Sequence, residues 1–369
     1  MEIVPYSTEH REAIARMNAK LAAAGSEWQF PAKEPPREAH GLPIWNDSFI
    51  AFEADEAYGG YILKHQQFFA AGRPLEVGNL QLPVSLGQVD GAFARVSAAL
   101  LIDVLRRSPL CYSIGLGSEE TQFAKLLSAA GWGHTAVPFY FSVKSANRFA
   151  RNIRLGPDRR RMQTVLRTLG RIRLAAVALR LRGSVRSRGV SRGPRRSPAN
   201  VQELPRFDGS VDEPFEAHAA SYSLVGDRRA AALNAFYPED DRRYIRLLVS
   251  TEGRTLGWVL ALNTRMHGDK YFGDMQVGSL VDCFSAVTDA PEVVAAADAA
   301  LTRRGVDVVI SNQLHPAWCA ALEQAGYERG PSNFFFYYSE ALAEALSEIP
   351  GWLEGIHMNR GDGEGPTHL

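Results

Sequence analysis

An internal repeat is the feature of this sequence that most constrains how the chain can fold. The segment AYGGYILKHQQFF at 57–69 resembles RTLGWVLALNTRM at 254–266, with Gly60 aligned on Gly257. Two further matches follow in the same order at nearly the same spacing: LQLPVSLGQ with MQVGSLVDC, and SAAGWGHTAVPFYFSV with EQAGYERGPSNFFFYY. Ordered matches at one spacing indicate a repeated structural unit. The sequence therefore predicts two similar units in one chain.

Both units show the same order of apolar periodicities, some with period two and some with helical period. The predicted elements of the first unit are a helix at 8–25, strands at 48–54, 59–69 and 75–86, a helix at 92–107, a strand at 110–116, a helix at 119–130 and a strand at 137–143. Those of the second unit are strands at 244–250, 255–265 and 271–285, a helix at 291–304, a strand at 306–311, a helix at 316–325 and a strand at 333–338. This order predicts an α/β (α+β) fold, in which each unit is a mixed, mostly antiparallel sheet flanked by helices.

The length of 369 residues suits two domains, and shifts in composition suggest where they end. We predict a first unit at 1–145, a basic linker at 146–206, a second unit at 207–345 and a flexible tail at 346–369. The tail is rich in glycine, and we expect Asp362 and Glu364 to be able to reach a cleft between the units.

Cysteine usage and the N-terminal segment narrow the cellular setting. The segment MEIVPYSTEH lacks the basic and apolar regions of a signal peptide, and no apolar run has membrane-spanning length. Cys111, Cys283 and Cys319 lie far apart, and their odd number argues against a disulfide framework. No pair of histidines has the spacing of metal ligands, so we predict no metal. These features together predict a cytoplasmic protein.

The linker is strongly basic although the whole chain has no net charge. Residues 144–196 hold sixteen arginines, one lysine and one acidic residue. Within it, a helix is predicted that places Arg160, Arg167, Arg171 and Arg182 on one side and apolar residues on the other. Such a helix suits an acidic membrane surface, which would make the protein peripheral to the membrane. The alternative is a helix docked between the units, followed by a disordered tether; nucleic acid is disfavoured because no aromatic residues interleave the arginines.

The stretch SLGQVDGAFARV at 85–96 has the composition of a phosphate-binding loop. It follows a predicted strand and precedes a predicted helix, and Gly87 and Gly91 permit close approach of the backbone to a ligand. A nucleoside-triphosphate loop would need a Gly-Lys-Ser/Thr end, and a dinucleotide loop a third glycine. An ordinary turn that uses glycine for its geometry is the alternative interpretation.

The order strand, glycine loop, helix, strand, helix ending in Gly-aromatic, strand resembles the GNAT superfamily of N-acetyltransferases. The family signature is Gln or Arg, two residues, Gly, one residue, Gly or Ala; Gln88 and Gly91 match it, whereas Phe93 departs from it. The resemblance covers 1–145 well and 207–345 more loosely, as in family members with two units. It implies that the loop holds the pyrophosphate of an acyl-coenzyme A, most simply acetyl-CoA. The residues implied are Val84, Leu86, Gly87, Gln88, Val89, Asp90, Gly91, Ala92, Phe93 and Ala94.

Acyl transfer to an amine needs an acid for the thiolate and a base for the amine. The resemblance would place an acidic tyrosine at Leu127, or at Leu322 in the second unit, so the usual acid is missing from both. Tyr112 and Tyr140, on strands expected beside the thioester, are candidate acids, and Glu76 is a candidate base. The alternative for each is structural: an aromatic residue in the core, or a solvated carboxylate.

The second unit has no glycine at the corresponding loop and carries Asp282, Cys283, Ser285 and Asp289 instead. Carboxylates disfavour a pyrophosphate, so we predict one coenzyme site per chain, with the acceptor entering from the side of the second unit. The predicted function is that of a coenzyme A-dependent N-acyltransferase, whose acceptor would be an amino sugar of a polysaccharide or lipid-linked precursor. Two alternatives stay open: a transferase that uses aminoacyl-tRNA on cell-wall precursors, and a non-catalytic, membrane-associated binding module.

Overall fold

The computed structural model describes residues 1–31, 44–115, 120–154, 199–332 and 334–363. The first part of the chain forms β1 (Glu2–Pro5), α1 (Arg11–Ala23), β2 (Ile44–Glu53), β3 (Glu56–Ala70), β4 (Arg73–Ser85), α2 (Ala94–Arg107), β5 (Cys111–Ile114), α3 (Gln122–Ala129), β6 (Gly133–Ala136), β7 (Phe139–Val143) and α4 (Ala146–Asn152). The second part forms β8 (Asn200–Leu204), α5 (Asp212–His218), β9 (Leu224–Gly226), α6 (Ala230–Phe236), β10 (Ile245–Thr251), β11 (Arg254–Arg265), β12 (Gln276–Ser285), α7 (Ala290–Arg303), β13 (Val308–Asn312), α8 (Pro316–Gln324), β14 (Glu328–Gly330), β15 (Phe335–Tyr338), α9 (Glu340–Leu346) and β16 (Ile356–His357).

These strands form two mixed sheets. The first has the order β1-β2-β3-β4-β5-β15-β6, with β9 paired to β3 and β16 paired to β9; the second has the order β14-β7-β13-β12-β11-β10-β8. In each sheet one strand–helix–strand connection is parallel, β4-α2-β5 in the first and β12-α7-β13 in the second. Most of the remaining pairs are antiparallel. The predicted fold class is confirmed.

The two sheets exchange their last strands. β7 is the last strand of the first unit in sequence but lies between β13 and β14, where Phe141 pairs with Ile310. β15 is the last strand of the second unit at 207–345 but lies between β5 and β6, where Tyr337 pairs with Ser113. The predicted boundaries at 145 and 345 therefore do not divide the two sheets, because each sheet contains a strand from the other half of the chain.

The register of the sheets shows which glycines correspond in the repeat. Gly59 lies opposite Ser85, and Gly257 lies opposite Ser285. A Cβ on Gly59 would stand 2.8 Å from the Val84 carbonyl oxygen, and one on Gly257 would collide with the carbonyl of the matching neighbour strand. The alignment of Gly60 with Gly257 that we drew from the sequence is thus one residue out of register.

Helix α2 covers one face of the first sheet. Its buried side chains Val96, Leu100 and Val104 recur every four residues, which places them on one stripe of the helix. They pack on Leu63 and Leu80 of β3 and β4. Burying each such side chain stabilises the fold by about 1.5–3 kcal/mol, so this contact fixes α2 and the loop before it against β4.

The C-terminal segment differs from the flexible tail that we predicted. Within 346–363, strand β16 pairs with β9, and Met358 and Asp362 are buried. The Asn359 side chain accepts from the Gly361 amide, and the Asp362 carboxylate accepts from the Asn359 amide. These bonds make a folded turn of a glycine-rich stretch, which composition alone does not predict. Residues 364–369, with Glu364, lie outside the described residues.

Candidate functional site: a cleft between parallel strands

The parallel strands β4 and β5 separate after a short pairing. Gly78 faces Cys111 and Asn79 faces Tyr112. Beyond that point β4 continues to Ser85 without pairing to any described residue of β5. The strands therefore diverge toward their carboxyl ends, which is where α/β sheets bind ligands. We call this opening the cleft, and its apex is the pair Asn79–Tyr112.

β4 is bulged where the cleft begins. Its register with β3 shifts between Gly60 and Ile62, which leaves Leu82 and Pro83 out of the ladder. Leu82 has a φ of +43°, a left-handed conformation that costs about 1–2 kcal/mol for a residue with a Cβ. Pro83 has no N–H, and inside a bulge it removes no ladder bond. The bulge thus accommodates Pro83, which could not donate a hydrogen bond in a regular strand.

The predicted phosphate loop forms two 3-10 turns before α2, at Leu86–Gln88 and Gly91–Phe93. A side chain caps each turn. The Ser85 hydroxyl accepts from the Gly87 amide at 2.9 Å, and the Asp90 carboxylate accepts from the Ala92 amide at 2.9 Å. The Gln88 side chain donates to the Pro83 carbonyl at 2.9 Å, which ties the loop to the bulge.

Several amides that we expected to face a phosphate donate within the loop instead. The Leu86 carbonyl accepts from the amides of Val89 and Asp90, at 3.1 and 2.9 Å. The Asp90 carbonyl accepts from Phe93, and the Gly91 carbonyl from Ala94. A phosphate-binding loop would present its amides from Val89 to Ala94 to the ligand, but those of Val89, Asp90, Phe93 and Ala94 are used within this loop. The assignment of the ten loop residues to coenzyme binding stays a prediction.

The two loop glycines have different roles. A Cβ on Gly87 would stand 2.5 Å from the Phe93 carbonyl oxygen, so glycine is required there by the packing of the loop itself. A Cβ on Gly91 would meet no atom within 4 Å, so this residue faces open space next to the first turn of α2. Gly91 is therefore the glycine at which a ligand can approach the backbone.

Charges near the loop are mixed. Helix α2 has no acidic residue in its first turn, and exposed Arg95 lies there, beside the positive end of the helix dipole. A cation at that end is unfavourable on its own, and Glu53, whose pKa is lowered mainly by the N-terminal ammonium and also by Arg95, is an anion near it. Asp90 adds a negative charge near the same end of the helix, where its carboxylate caps the turn at Ala92. Arg95 is a candidate phosphate partner that the sequence pattern did not single out.

Glu76 lies far from the loop. It precedes Leu86 by ten residues, about 30 Å along an extended strand. Its side chain is 70% exposed, and its carboxylate is 3.9 Å from Nδ1 of His65. Since side chains alternate along a strand, Glu76 is on the face of β4 opposite to Asn79 and Gln81. The structure therefore does not bring the predicted base to the cleft.

Tyr112 lies at the apex of the cleft and is fully buried. Its hydroxyl donates to the main-chain carbonyl of Asp362 at 2.8 Å. Burial raises the pKa of Tyr112 well above its ordinary value, and the nearby Asp362 carboxylate adds to that shift. The phenol therefore stays protonated at neutral pH and acts as a hydrogen-bond donor.

Tyr140 is separated from Tyr112 by the strand exchange. It belongs to β7 in the second sheet, where its hydroxyl donates to Glu323 at 3.0 Å. Burial raises the pKa of Tyr140. The prediction that its strand flanks the thioester is corrected, because β15 and not β7 lies beside β5. Leu127 and Leu322 are both fully buried in the helices α3 and α8.

A row of polar side chains crosses the first sheet at the apex. Asn46, Lys64, Asn79 and Tyr112 are consecutive cross-strand neighbours on β2, β3, β4 and β5. Gln81 follows Asn79 on the same face of β4. We missed Lys64, Asn79 and Gln81 in the sequence, although NLQL at 79–82 alternates polar and apolar residues within a strand. That alternation was the available signal of a polar face inside the molecule.

A buried ion network joins this face to the second half of the chain. Arg228 donates to Asp282 at 3.1 Å and to Asp362 at 2.6 Å. Tyr237 donates to Asp282 at 2.9 Å. Burial opposes the Arg228 charge, but the two carboxylates outweigh it and raise the pKa of Arg228. Asp362 therefore lies at the junction between the halves, held by a cation rather than free in a cleft.

The corresponding loop of the second half is short. β12 runs to Ser285 and α7 begins at Ala290, and Asp282 and Cys283 lie inside the strand rather than in the loop where we had placed them. Asp289 is paired with Arg254 at 2.8 Å. The second half thus offers fewer loop residues and a carboxylate at the N-terminal end of its helix. That only the first half binds a coenzyme stays a prediction.

The basic helix expected around Arg160, Arg167, Arg171 and Arg182 lies outside the described residues. Among the residues that are described, no helix is long and apolar enough to cross a membrane. Within that same part of the chain, no group of three His, Cys, Asp or Glu side chains is arranged to hold a metal ion.

No protein-family model matches the sequence, and no curated protein matches it. Solved structures do. The chain is similar to a conserved protein of unknown function from Enterococcus faecalis, described as a probable N-acyltransferase, with a TM-score of 0.52 and 10% identity over 92% of this chain and 73% of that one. It is similar to the N-myristoyltransferase of Saccharomyces cerevisiae with bound myristoyl-CoA and inhibitors, with a TM-score of 0.52 and 10% identity over 91% of this chain and 79% of that one.

A third likeness is to the GCN5-related glucosamine N-acetyltransferase region of a fungal multi-domain β-N-acetylglucosaminidase. Its TM-score is 0.51 at 12% identity, over 91% of this chain and 38% of that one. At such identities the likeness concerns the fold. The chain shares the mixed α/β fold of these acyltransferase structures, and its two mixed sheets agree with the fold that the sequence resemblance implied.

Proposed function

We propose that this chain is an acyl-CoA-dependent N-acyltransferase, most simply an N-acetyltransferase, with one coenzyme site in the first half. The observation that carries the proposal is the parallel pair β4 and β5, which separates beyond Asn79 and has the loop and α2 at its carboxyl end. Structures of similar fold include a probable N-acyltransferase and an enzyme bound to myristoyl-CoA, which supports the same class of donor.

The residues present suit the phosphates of such a donor at one place. Gly91 faces open space, the first turn of α2 follows it, and Arg95 adds a positive charge. The acyl arm would then run along β4 past the bulge at Leu82 toward Asn79. In the reaction, the amine nitrogen bonds to the thioester carbonyl carbon while the C–S bond breaks. The proton lost by the amine ends on the sulfur, so the products are an amide and a free thiol.

The test is a pair of glycine variants with matched surroundings. Gly91 follows the capping Asp90 in a 3-10 turn before α2, and Gly209 follows the capping Asp208 in a 3-10 turn before α5. A Cβ meets no atom within 4 Å at either position. Gly91→Val should therefore leave the fold intact but block backbone approach to phosphate, and calorimetry should show at least a tenfold loss of acetyl-CoA affinity. Gly209→Val should bind as the parent does.

Acetyl-CoA, myristoyl-CoA and free CoA are titrated in parallel, since binding to the folded state must also raise Tm. Equal affinity of both glycine variants would remove the loop from the proposal. No binding of any acyl-CoA would favour the alternatives of an aminoacyl-tRNA-dependent transferase or a binding module. Two binding events per chain would contradict the single site.

Acceptor and location are finer proposals. From the sequence we propose that the acceptor is an amino sugar of a polysaccharide or lipid-linked precursor. We also propose that the protein is cytoplasmic and contacts acidic membranes through the basic segment. Sedimentation with acidic liposomes tests the membrane contact, using Arg160, Arg167 and Arg171 changed together to Glu.

A further inference from the structure

Three side-chain donors converge on a single oxygen at the apex of the cleft. Lys64 Nζ, Asn79 Nδ2 and the Tyr112 hydroxyl lie 3.0, 2.9 and 2.8 Å from the main-chain carbonyl oxygen of Asp362. The next carbonyl, that of Gly363, accepts from Lys64 at 3.1 Å and from Gln81 at 3.0 Å. The last described residues of the chain thus lie against the apex of the cleft between β4 and β5.

The donor set is built by the sheet. Lys64, Asn79 and Tyr112 are cross-strand neighbours on three adjacent strands, so their side chains project from one face at fixed spacing. With the segment 359–363 in place they are 3%, 1% and 0% exposed. In such a water-excluded place, hydrogen bonds to a charged oxygen are stronger than in water.

The number and charge of the donors exceed what a main-chain carbonyl needs. A carbonyl oxygen has two lone pairs, whereas three donors point at this one, and one of them is an ammonium. Preorganised donors at 2.7–3.1 Å are the arrangement that stabilises an oxygen on which negative charge develops. The position is also the apex toward which an acyl arm running along β4 would extend.

We propose that Lys64, Asn79 and Tyr112 form an oxyanion site for the thioester carbonyl, and that the Asp362 carbonyl occupies it when no acyl group is bound. This inference rests on the proposed acyltransfer. When the amine nitrogen adds to the carbonyl carbon, the π electron pair moves to the oxygen, which the three donors hold. The pair returns as the C–S bond breaks, and the sulfur receives the proton that the amine loses.

The proposal requires the segment 359–363 and an acyl group to compete for the same donors. The segment is otherwise held by its own turn and by the ion pair of Asp362 with Arg228. Its amides donate within the turn: Gly361 to the Asn359 side chain, Asp362 to the Asn359 carbonyl, and Gly363 to the Arg360 carbonyl. Displacement of the segment would expose these buried amides to solvent and so to exchange.

Hydrogen–deuterium exchange of the full chain measures that displacement without any assay of activity. Acetyl-CoA and free CoA share the phosphates and the arm, but free CoA lacks the acyl carbonyl. At matched saturation we expect the amides of 359–363 to exchange at least tenfold faster with acetyl-CoA than with CoA. Equal protection in both complexes would overturn the oxyanion site while leaving coenzyme binding established.

Two tyrosine variants separate catalysis from stability. Tyr112→Phe removes one donor from the oxygen, whereas Tyr61→Phe removes an equally buried hydroxyl that donates to Asp103 at 2.6 Å on the other face of the sheet. We expect Tyr112→Phe to lower kcat about 10²-fold with little change in KM for acetyl-CoA, as for loss of one oxyanion donor. Tyr61→Phe should keep kcat.

A Tyr112→Phe variant that folds, binds acetyl-CoA and keeps its kcat contradicts the inference. If that variant does not fold, the exchange experiment on the parent chain still decides. Failure of acetyl-CoA to bind the parent at all would instead refute the proposed function, and this inference with it, so the two failures give different results.

Discussion

Asp90 carries two opposed effects in one side chain. As a cap it satisfies the Ala92 amide at the start of a 3-10 turn. As a carboxylate it places negative charge beside Gly91, where we propose a phosphate. Asparagine caps helices about as well as aspartate but carries no charge, so the two effects can be separated by one substitution.

Asp90→Asn should therefore strengthen acetyl-CoA binding while leaving Tm nearly unchanged. Removal of one carboxylate near a helix N-terminus that receives an anion is worth about 0.7 kcal/mol, roughly threefold in affinity. Asp208→Asn is the matched control, because Asp208 caps Ser210 in the same way in the second half. Titration calorimetry at low salt measures both. Weaker binding by Asp90→Asn would mean that no phosphate lies beside this loop.

At the scale of elements, periodicity predicted most of what forms. The helix expected at 92–107 is Ala94–Arg107, and the strand expected at 255–265 is Arg254–Arg265. Gly131 and Gly326, with φ of +81° and +83°, end the corresponding helices α3 and α8 of the two units, as expected. Local pattern decides these elements, because burial of one face and the capping residues act within a few positions.

The local sequence pattern did not predict which strands, distant in sequence, pair with one another. The side chains at 139–143 alternate between two faces, as they would in either sheet. The local sequence therefore does not determine that this strand pairs with Ile310 of β13 rather than with Ser113 of β5. Only part of the candidate site could be predicted from the sequence. The loop between β4 and α2 was predicted from its glycines, whereas Lys64 and Asp362 are 298 residues apart and meet only through the fold.

Strand exchange should keep a cut chain together. A specific protease site placed within 155–198, outside the described residues, would leave β7 on one fragment and β15 on the other. Each fragment then contributes an internal strand to the other's sheet, and we expect the cleaved protein to elute from size exclusion as one species of unchanged size. Cleaved protein in denaturant gives the control masses. Fragments that separate in buffer would contradict the exchanged topology.

At the scale of the whole molecule, one buried histidine, His357, and one half-buried histidine, His315, pack against the same ring, that of Tyr222. His357, on a strand of the first sheet, packs against Tyr222 and Phe284 with ring centroids at 4.9 and 5.8 Å. Burial lowers the pKa of His357 well below its ordinary value and lowers the pKa of His315 to about 4. Both rings are therefore neutral in the folded protein at mildly acidic pH.

Stability should fall as the pH drops from about 6.5 toward 4. In that range the unfolded chain binds protons at these histidines and the folded chain does not, so the free energy of unfolding decreases with decreasing pH and is level above it. His315→Asn keeps an acceptor for the Ala317 amide and removes one titrating group. In urea unfolding from pH 4.5 to 7.5, the free energy of unfolding of this variant should depend less steeply on pH than that of the parent protein, by up to about 1.4 kcal/mol per pH unit.

Exposed His267 is the control for that measurement. His267→Asn should reproduce the slope of the parent protein. A slope unaffected by His315→Asn would show that this ring titrates in the folded state as it does in the unfolded chain.

The exchanged strands also bear on what selection can remove after a duplication. A second copy that no longer binds coenzyme would ordinarily be free to shorten or disappear. Here the second half supplies β15, which lies between β5 and β6 in the first sheet. If the coenzyme binds only in the first half, as we propose, deleting the second half would still remove a strand from the sheet that binds it. The lent strand is thus a reason for both halves to persist, whichever of them binds the coenzyme.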